Sequence, residues 1–268
     1  MSGPSTFDPA TLPAALRNAD DALGASLEDA GLTSSQPPQQ AIYDGWLLRY
    51  SPGKAKRARS VNAIAGGRLA LEDKLAAVAA FYRHAGLPCL YRVTPFSQPA
   101  RLDRVLADSG YVALDESRVM AVELAAVAAV AAPPCAPVRL EPADFADVVG
   151  AVRGSPTQVT AAERERISHC PLPSTCLLLS DGPRPLACGS VLIDGDRAGI
   201  FNMVTDAAER SRGLATALVA RLLQHAAEAG ARIAYLQVDA ANAPARHLYR
   251  KFGFRDRYAY WYRAAPVV

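Results

Sequence analysis

The chain has 268 residues, half of them apolar, and a formal net charge of +3; this supports a sizeable core, excludes a disordered chain and falls short of a nucleic-acid footprint. Five cysteines, an odd number without zinc-ligand spacing, predict reduced thiols in a cytoplasmic protein. The longest apolar stretch, 119–132, is broken by Glu123 and too short for a bilayer, and no leader pattern opens the chain, so no membrane partner is expected.

In chain order, an Ala-rich helix is expected around 12–31, followed by the linker composition TSSQPPQQ. Strand-like YDGWLLRYS and SVNAIA flank a basic stretch, PGKAKRAR. Leu71, Leu75, Val78 and Tyr82 recur at helical spacing, CLYRVT reads as a buried strand, 99–109 as a helix and ESRVMAVEL as a strand. AAPPCAP (131–137) is a second linker. Beyond it come a strand at VRLEP and helices near 142–152 and 160–169. Three antiparallel strands follow (TCLLLSD, LACGSVLID, AGIFNMVTD), joined by turns at GPRP and GDR. A helix with Leu214, Ala217, Leu218 and Leu222 on one stripe stops at Gly230; RIAYLQVD, a helix over 244–252 and the aromatic strand YAYWYRA complete the series.

The two halves resemble each other. The segment 84–111 lies over 228–254, PAR at 99–101 matches PAR at 244–246, and the helix–strand–helix–strand order agrees.

The stretch ERSRGLATAL sits where a strand ends and a helix begins. A helix leaves its first amide groups unpaired and carries partial positive charge there. Arg210 and Arg212 add charge, and Gly213 admits close backbone approach. The junction therefore suits a pyrophosphate. It has neither the Lys-Ser/Thr of a P-loop nor G-x-G-x-x-G.

R-x-x-G-x-A at 210–215, then a strand, then NAPARHLYRKFGF at 242–254, resembles the GCN5-related N-acetyltransferases, the GNAT superfamily, over roughly 138–262. The resemblance implies an α/β (α+β type) fold of two GNAT-like domains, each a mixed, mostly antiparallel sheet flanked by helices. The divisions expected are an N-terminal helix and linker at 1–40, a degenerate domain at 41–130, a linker at 131–137 and an acetyl-CoA-binding domain at 138–268. It further implies that acetyl-CoA is the cosubstrate. Its pyrophosphate would lie on the turn Arg210, Ser211, Arg212, Gly213, Leu214, Ala215 and Thr216, and its pantetheine arm along Met203, Val204 and Thr205. Asn242 and Ala245 would join the cofactor contacts, and Tyr249 would protonate the departing thiolate.

The implied reaction is direct attack by a primary amine of a small molecule, without nucleic acid or membrane, in a monomer or homodimer. A peptide or protein amino group and a non-catalytic acyl-CoA sensor stand as alternatives. Cys188, without a nearby His, reads as a packing residue. Glu165, Asp144 and a water chain are all open as the base. Over the repeat, Asn242 falls on Ser97 and Tyr249 near Leu106, so the first half lacks these groups; its Trp46, Arg49, Arg57, Arg59 and Asn62 are candidates for one wall of the acceptor cleft, or for a solvated basic hairpin. Tyr258, Tyr260 and Tyr262 share one face of the last strand and are expected mostly to pack between the halves.

Overall fold

The computed structural model describes residues 6–51, 55–133 and 136–265; Pro52–Lys54 of the basic stretch and Pro134 and Cys135 of the 131–137 linker lie outside the described residues. The first half runs α1 (Ala22–Ser34), β1 (Gln40–Tyr43), β2 (Trp46–Arg49), β3 (Val61–Asn62), α2 (Leu71–His84), β4 (Leu90–Val93), α3 (Leu102–Asp108) and β5 (Val112–Glu123). The second runs β6 (Val138–Leu140), α4 (Pro142–Arg153), α5 (Thr157–Ser168), β7 (Ser174–Asp181), β8 (Arg184–Asp194), β9 (Arg197–Thr205), α6 (Leu214–Glu228), β10 (Ile233–Asp239), α7 (Ala243–Lys251) and β11 (Arg255–Ala264). The fold is the expected α/β arrangement on a mixed, mostly antiparallel sheet.

What the sequence does not show is that all eleven strands form one sheet, in the order β1-β2-β3-β4-β11-β5-β10-β9-β8-β7-β6. Each half has one parallel pair, β3 with β4 and β9 with β10. The strand that completes each half crosses to the other: β5 lies antiparallel against β10, and β11 against β4. The two exchanged strands also pair with each other, from Arg255↔Ala121 to Ala264↔Val112. The exchange leaves neither β4 nor β10 with an open edge, and an open edge is a liability for any sheet.

Strand alternation sends Ala187 and Val191 of β8 into a core with α6 and α7, while Cys188 faces a cluster with Phe145 and Val149 of α4. A third cluster covers the central seam, with Leu27 and Ala30 of α1 set against Tyr235, Tyr258, Tyr260 and Tyr262. The alternating tyrosines thus pack where the halves meet. The expected helix at 12–31 is corrected: two short 3-10 turns, Pro9–Thr11 and Ala14–Arg17, come first, and the α-helix starts only at Ala22. Pro9 and Pro13 supply no amide donor and restrict the residues before them, which divides this stretch.

Buried Glu28 on α1 pairs with Arg92 of β4 and accepts from the Tyr258 hydroxyl of β11 at 2.7 Å. Burial presses the Glu28 pKa up, but Arg92 and these hydrogen bonds prevail and hold it below the usual carboxylate range.

Candidate functional site

β10 accompanies β9 only as far as Ile200↔Leu236; beyond it β10 continues with β5 alone. Residues 201–205 of β9 therefore keep β8 as a neighbour on one side and lose β10 on the other. Here the β8–β9 register also shifts, between Cys188↔Val204 and Ser190↔Phe201, and Asn202 takes a left-handed φ of 53°. Asn tolerates that conformation better than most residues, so the bulge has a local sequence cause.

The parting strands open onto a cavity of about 900 Å³, lined by Met203, Val204 and Thr205, the start of α6 and one side of α7. At one end Ser211 (φ 63°) and Gly213 (φ 79°) are both left-handed, which turns the chain sharply into α6. Gly213 occupies the N-cap position and no side chain caps the helix. The first bond into the helix is from the Ala217 amide to the Gly213 carbonyl at 3.0 Å, which leaves the amides of Leu214, Ala215 and Thr216 without intrahelical partners. Bare amides, a helix N-terminus and a turn that a Cβ would strain fit a diphosphate group. A Cβ on Gly213 would also come within 2.8 Å of Pro133 in the linker between halves.

Of the candidate cofactor residues, Met203, Val204, Thr205, Arg210, Ser211, Gly213, Leu214, Ala215, Thr216, Asn242 and Ala245 all line this cavity. Arg212 does not: it turns away into an ion pair with Glu209, which Arg184 also binds at 3.1 Å. Among the described residues Arg210 has no such partner. Asn242 spends its Oδ1 as the N-cap of α7, accepting from the Ala245 amide at 3.2 Å. Its amide nitrogen is left for a ligand.

Tyr249 lies on the cavity wall, buried, with its ring edge-on to Phe254 at 5.8 Å. Burial pushes its pKa up to about 12. Among the described residues its hydroxyl has no protein partner. Arg153 from the end of α4 and Lys251 from α7 also line the cavity. Sequence reasoning missed both, although Lys251 follows Tyr249 by two residues in YRKF.

A second, small cavity of about 30 Å³ lies on the other side of the bulge, against Ser190, Phe201 and Asn202. Arg166 and Cys170 at the end of α5, Ser34 at the end of α1 and Arg57 of the first half close it. Arg57 reaches across the seam, donating to Gln237 Oε1 of β10 at 2.6 Å and lying 5.9 Å from the Phe201 ring centroid. The other first-half candidates are placed elsewhere. Trp46 is buried in the core and donates to the Gln98 carbonyl at 2.8 Å. Arg49 is buried, donating to the Leu32 carbonyl at 2.6 Å and to Ser35 Oγ at 3.2 Å. Asn62 is buried, and Arg59 lines neither cavity. Asp144 and Glu165 are exposed and line neither cavity. Cys188 is fully buried, and burial pushes its thiol up to about 12, as suits a packing residue.

Parted parallel strands, a bulge at the parting and an uncapped helix facing it make up the site. Residues 147–254 match the model of the Acetyltransferase (GNAT) family. The chain is 28% identical over 239 residues to the uncharacterized N-acetyltransferase YobR of Bacillus subtilis (strain 168), covering 81% of this chain and 89% of that one. It shares its fold with a GCN5-related N-acetyltransferase from Kribbella flavida (TM-score 0.64, 18% identity, 93% of this chain and 97% of that one). A tandem GNAT protein from the clavulanic acid biosynthesis pathway is similar in the same way (TM-score 0.61, 15% identity, 94% and 98% covered). Residues 147–254 are thus similar to the GNAT acetyltransferases, and the likeness extends over most of the chain to a relative named as an N-acetyltransferase.

Proposed function

We propose that the chain transfers an acetyl group from acetyl-CoA to a primary amine of a small molecule by direct attack. One observation carries this reading: Asn202 and Met203, consecutive at the bulge, face two different cavities. A donor thioester laid along 203–205 and an acceptor amine in the smaller cavity would meet at that bend of the chain.

The amides of Leu214, Ala215 and Thr216, with Arg210, would hold the diphosphate, and the unpaired edge of Met203–Thr205 would hydrogen-bond the amide-bearing arm. When bound, acetyl-CoA supplies an acyl carbon already activated by its thioester. Tyr249 then acts at the sulfur. A phenol with a pKa near 12 stays protonated throughout the neutral range and donates a hydrogen bond to the sulfur as negative charge develops there. The carbon–sulfur bond breaks as the nitrogen–carbon bond forms. An ordinary thiol, at about 8.5, is the stronger acid of the two, so Tyr249 keeps its proton and lends the departing thiolate a hydrogen bond, while the one proton that the acceptor nitrogen loses on becoming an amide is the one the thiolate takes up.

Calorimetry with acetyl-CoA, followed by thiol release across an amine panel, tests the reading. Binding with amine-dependent thiol release is expected; no binding sinks it. Gly213→Val should weaken acetyl-CoA by about tenfold or more, because it forces a β-branched residue into left-handed backbone. Unchanged affinity would remove the turn from the site.

A further inference from the structure

The smaller cavity is lined by positive charge that its neighbours offset only in part. Two guanidinium groups line it, from Arg57 and Arg166, and no carboxylate does. Burial first, and then nearby guanidinium groups that include Arg57 and Arg166, lower the pKa of Arg49 and of Arg153. Of the acids that act on this group, Glu163 pairs with Arg166 and Glu28 is committed to Arg92. Positive charge gathered beneath a partly closed surface costs free energy unless an anion meets it.

The unused donors are also in place. Arg57 spends Nη1 on Gln237, and its remaining guanidinium edge has no partner among the described residues. Arg166 gives Nη2 to Glu163, which leaves its Nη1 without a hydrogen-bond partner among the described residues. A guanidinium edge matches the two oxygens of a carboxylate. The cavity, at about 30 Å³, has room for about two water-sized groups, and Ser34, Ser174 and Ser190 supply further hydroxyls at its wall.

We propose that the acceptor amine also carries a carboxylate, which Arg57 of the first half and Arg166 of α5 hold in the cavity beside Asn202. This rests on the acetyl-transfer reading and adds to it the substrate class and the part played by the first half. Anchoring the acid there leaves the amine of an amino acid at the bulge, where the acyl carbon is presented. No charge of the first half other than Arg57 lines this cavity, so the half without a cofactor turn contributes to acceptor choice.

Matched amines decide the matter: ornithine against putrescine, phenylalanine against phenethylamine, serine against ethanolamine. Each is assayed for thiol release with the full chain and saturating acetyl-CoA. Among the pairs turned over, kcat/KM should favour the carboxylated member by at least about tenfold, the worth of a charge-assisted hydrogen bond. Arg57→Gln should bring that ratio close to one, chiefly through KM, while calorimetry shows acetyl-CoA affinity within about twofold of wild type. Should Arg57→Gln fail to fold, the wild-type ratios are a sufficient test by themselves. The proposal is overturned if the carboxylate-free members are turned over as well or better, if no carboxylated amine is turned over, or if Arg57→Gln folds and keeps the preference. Absence of acetyl-CoA binding by the wild type would instead defeat the acetyl-transfer reading itself, so the two failures are told apart.

Discussion

At Tyr249 the demands of packing and chemistry coincide. Its ring is buried against Phe254, and the residue lines the large cavity. Removing the hydroxyl in Tyr249→Phe keeps the ring contacts and deletes only the donor, so kcat should fall by roughly 100-fold, the low end for losing one hydrogen-bond donor to developing negative charge. Acetyl-CoA affinity measured by calorimetry should stay within about twofold. A kcat close to wild type would take Tyr249 out of the reaction. The residue pattern N-x6-Y and the R-x-x-G-x-A turn were visible in the chain because each is local: it depends on helix pitch and on φ at single positions. The destinations of Arg212 and Arg57 were not visible, because they depend on Glu209 across a tight turn and on Gln237 in the other half.

Among the elements, α1 carries more than its sequence suggests. It reads as an Ala-rich preface, weakly amphipathic, yet Glu28 on its buried side ties β4 and β11 together through Arg92 and Tyr258. Glu28→Ala would leave the Arg92 guanidinium buried and uncompensated, and should cost about 3–5 kcal/mol. Urea unfolding checks this: the midpoint should drop with little change in slope, and an unchanged midpoint would show that the ion pair does not hold the seam. The strands themselves were largely legible, since alternation and apolar runs mark them. Their neighbours were not. Nothing local in ESRVMAVEL distinguishes pairing with β10 from pairing with β4, because backbone hydrogen bonding is the same in either place.

For the molecule as a whole, the seam is built of phenols. Tyr235, Tyr258 and Tyr262 lie in or beside it, and Tyr82 and Tyr91 fill the first-half core. Burial raises the pKa of every one of these above the ordinary tyrosine value. The unfolded chain ionises near pH 10 while the folded chain keeps its protons, so the unfolded state binds fewer protons and stability falls as pH rises. The stability is fully present below about pH 10 and is lost as the folded values are approached. Melting followed from pH 8 to 11 should show a flat midpoint, then a decline setting in near 10; a midpoint that stays level to pH 11 would contradict the burial of these rings.

The reciprocal placement of β5 and β11 also bears on synthesis. The slot between β4 and β5 is filled by residues 255–264, which leave the ribosome only after the intervening 124–254 have been made. Until then the emerging first half must wait with an incomplete sheet and exposed backbone on two strands. Completing one sheet before the other is closed to this chain, so its nascent form keeps unpaired strand edges for longer than two beads on a string would.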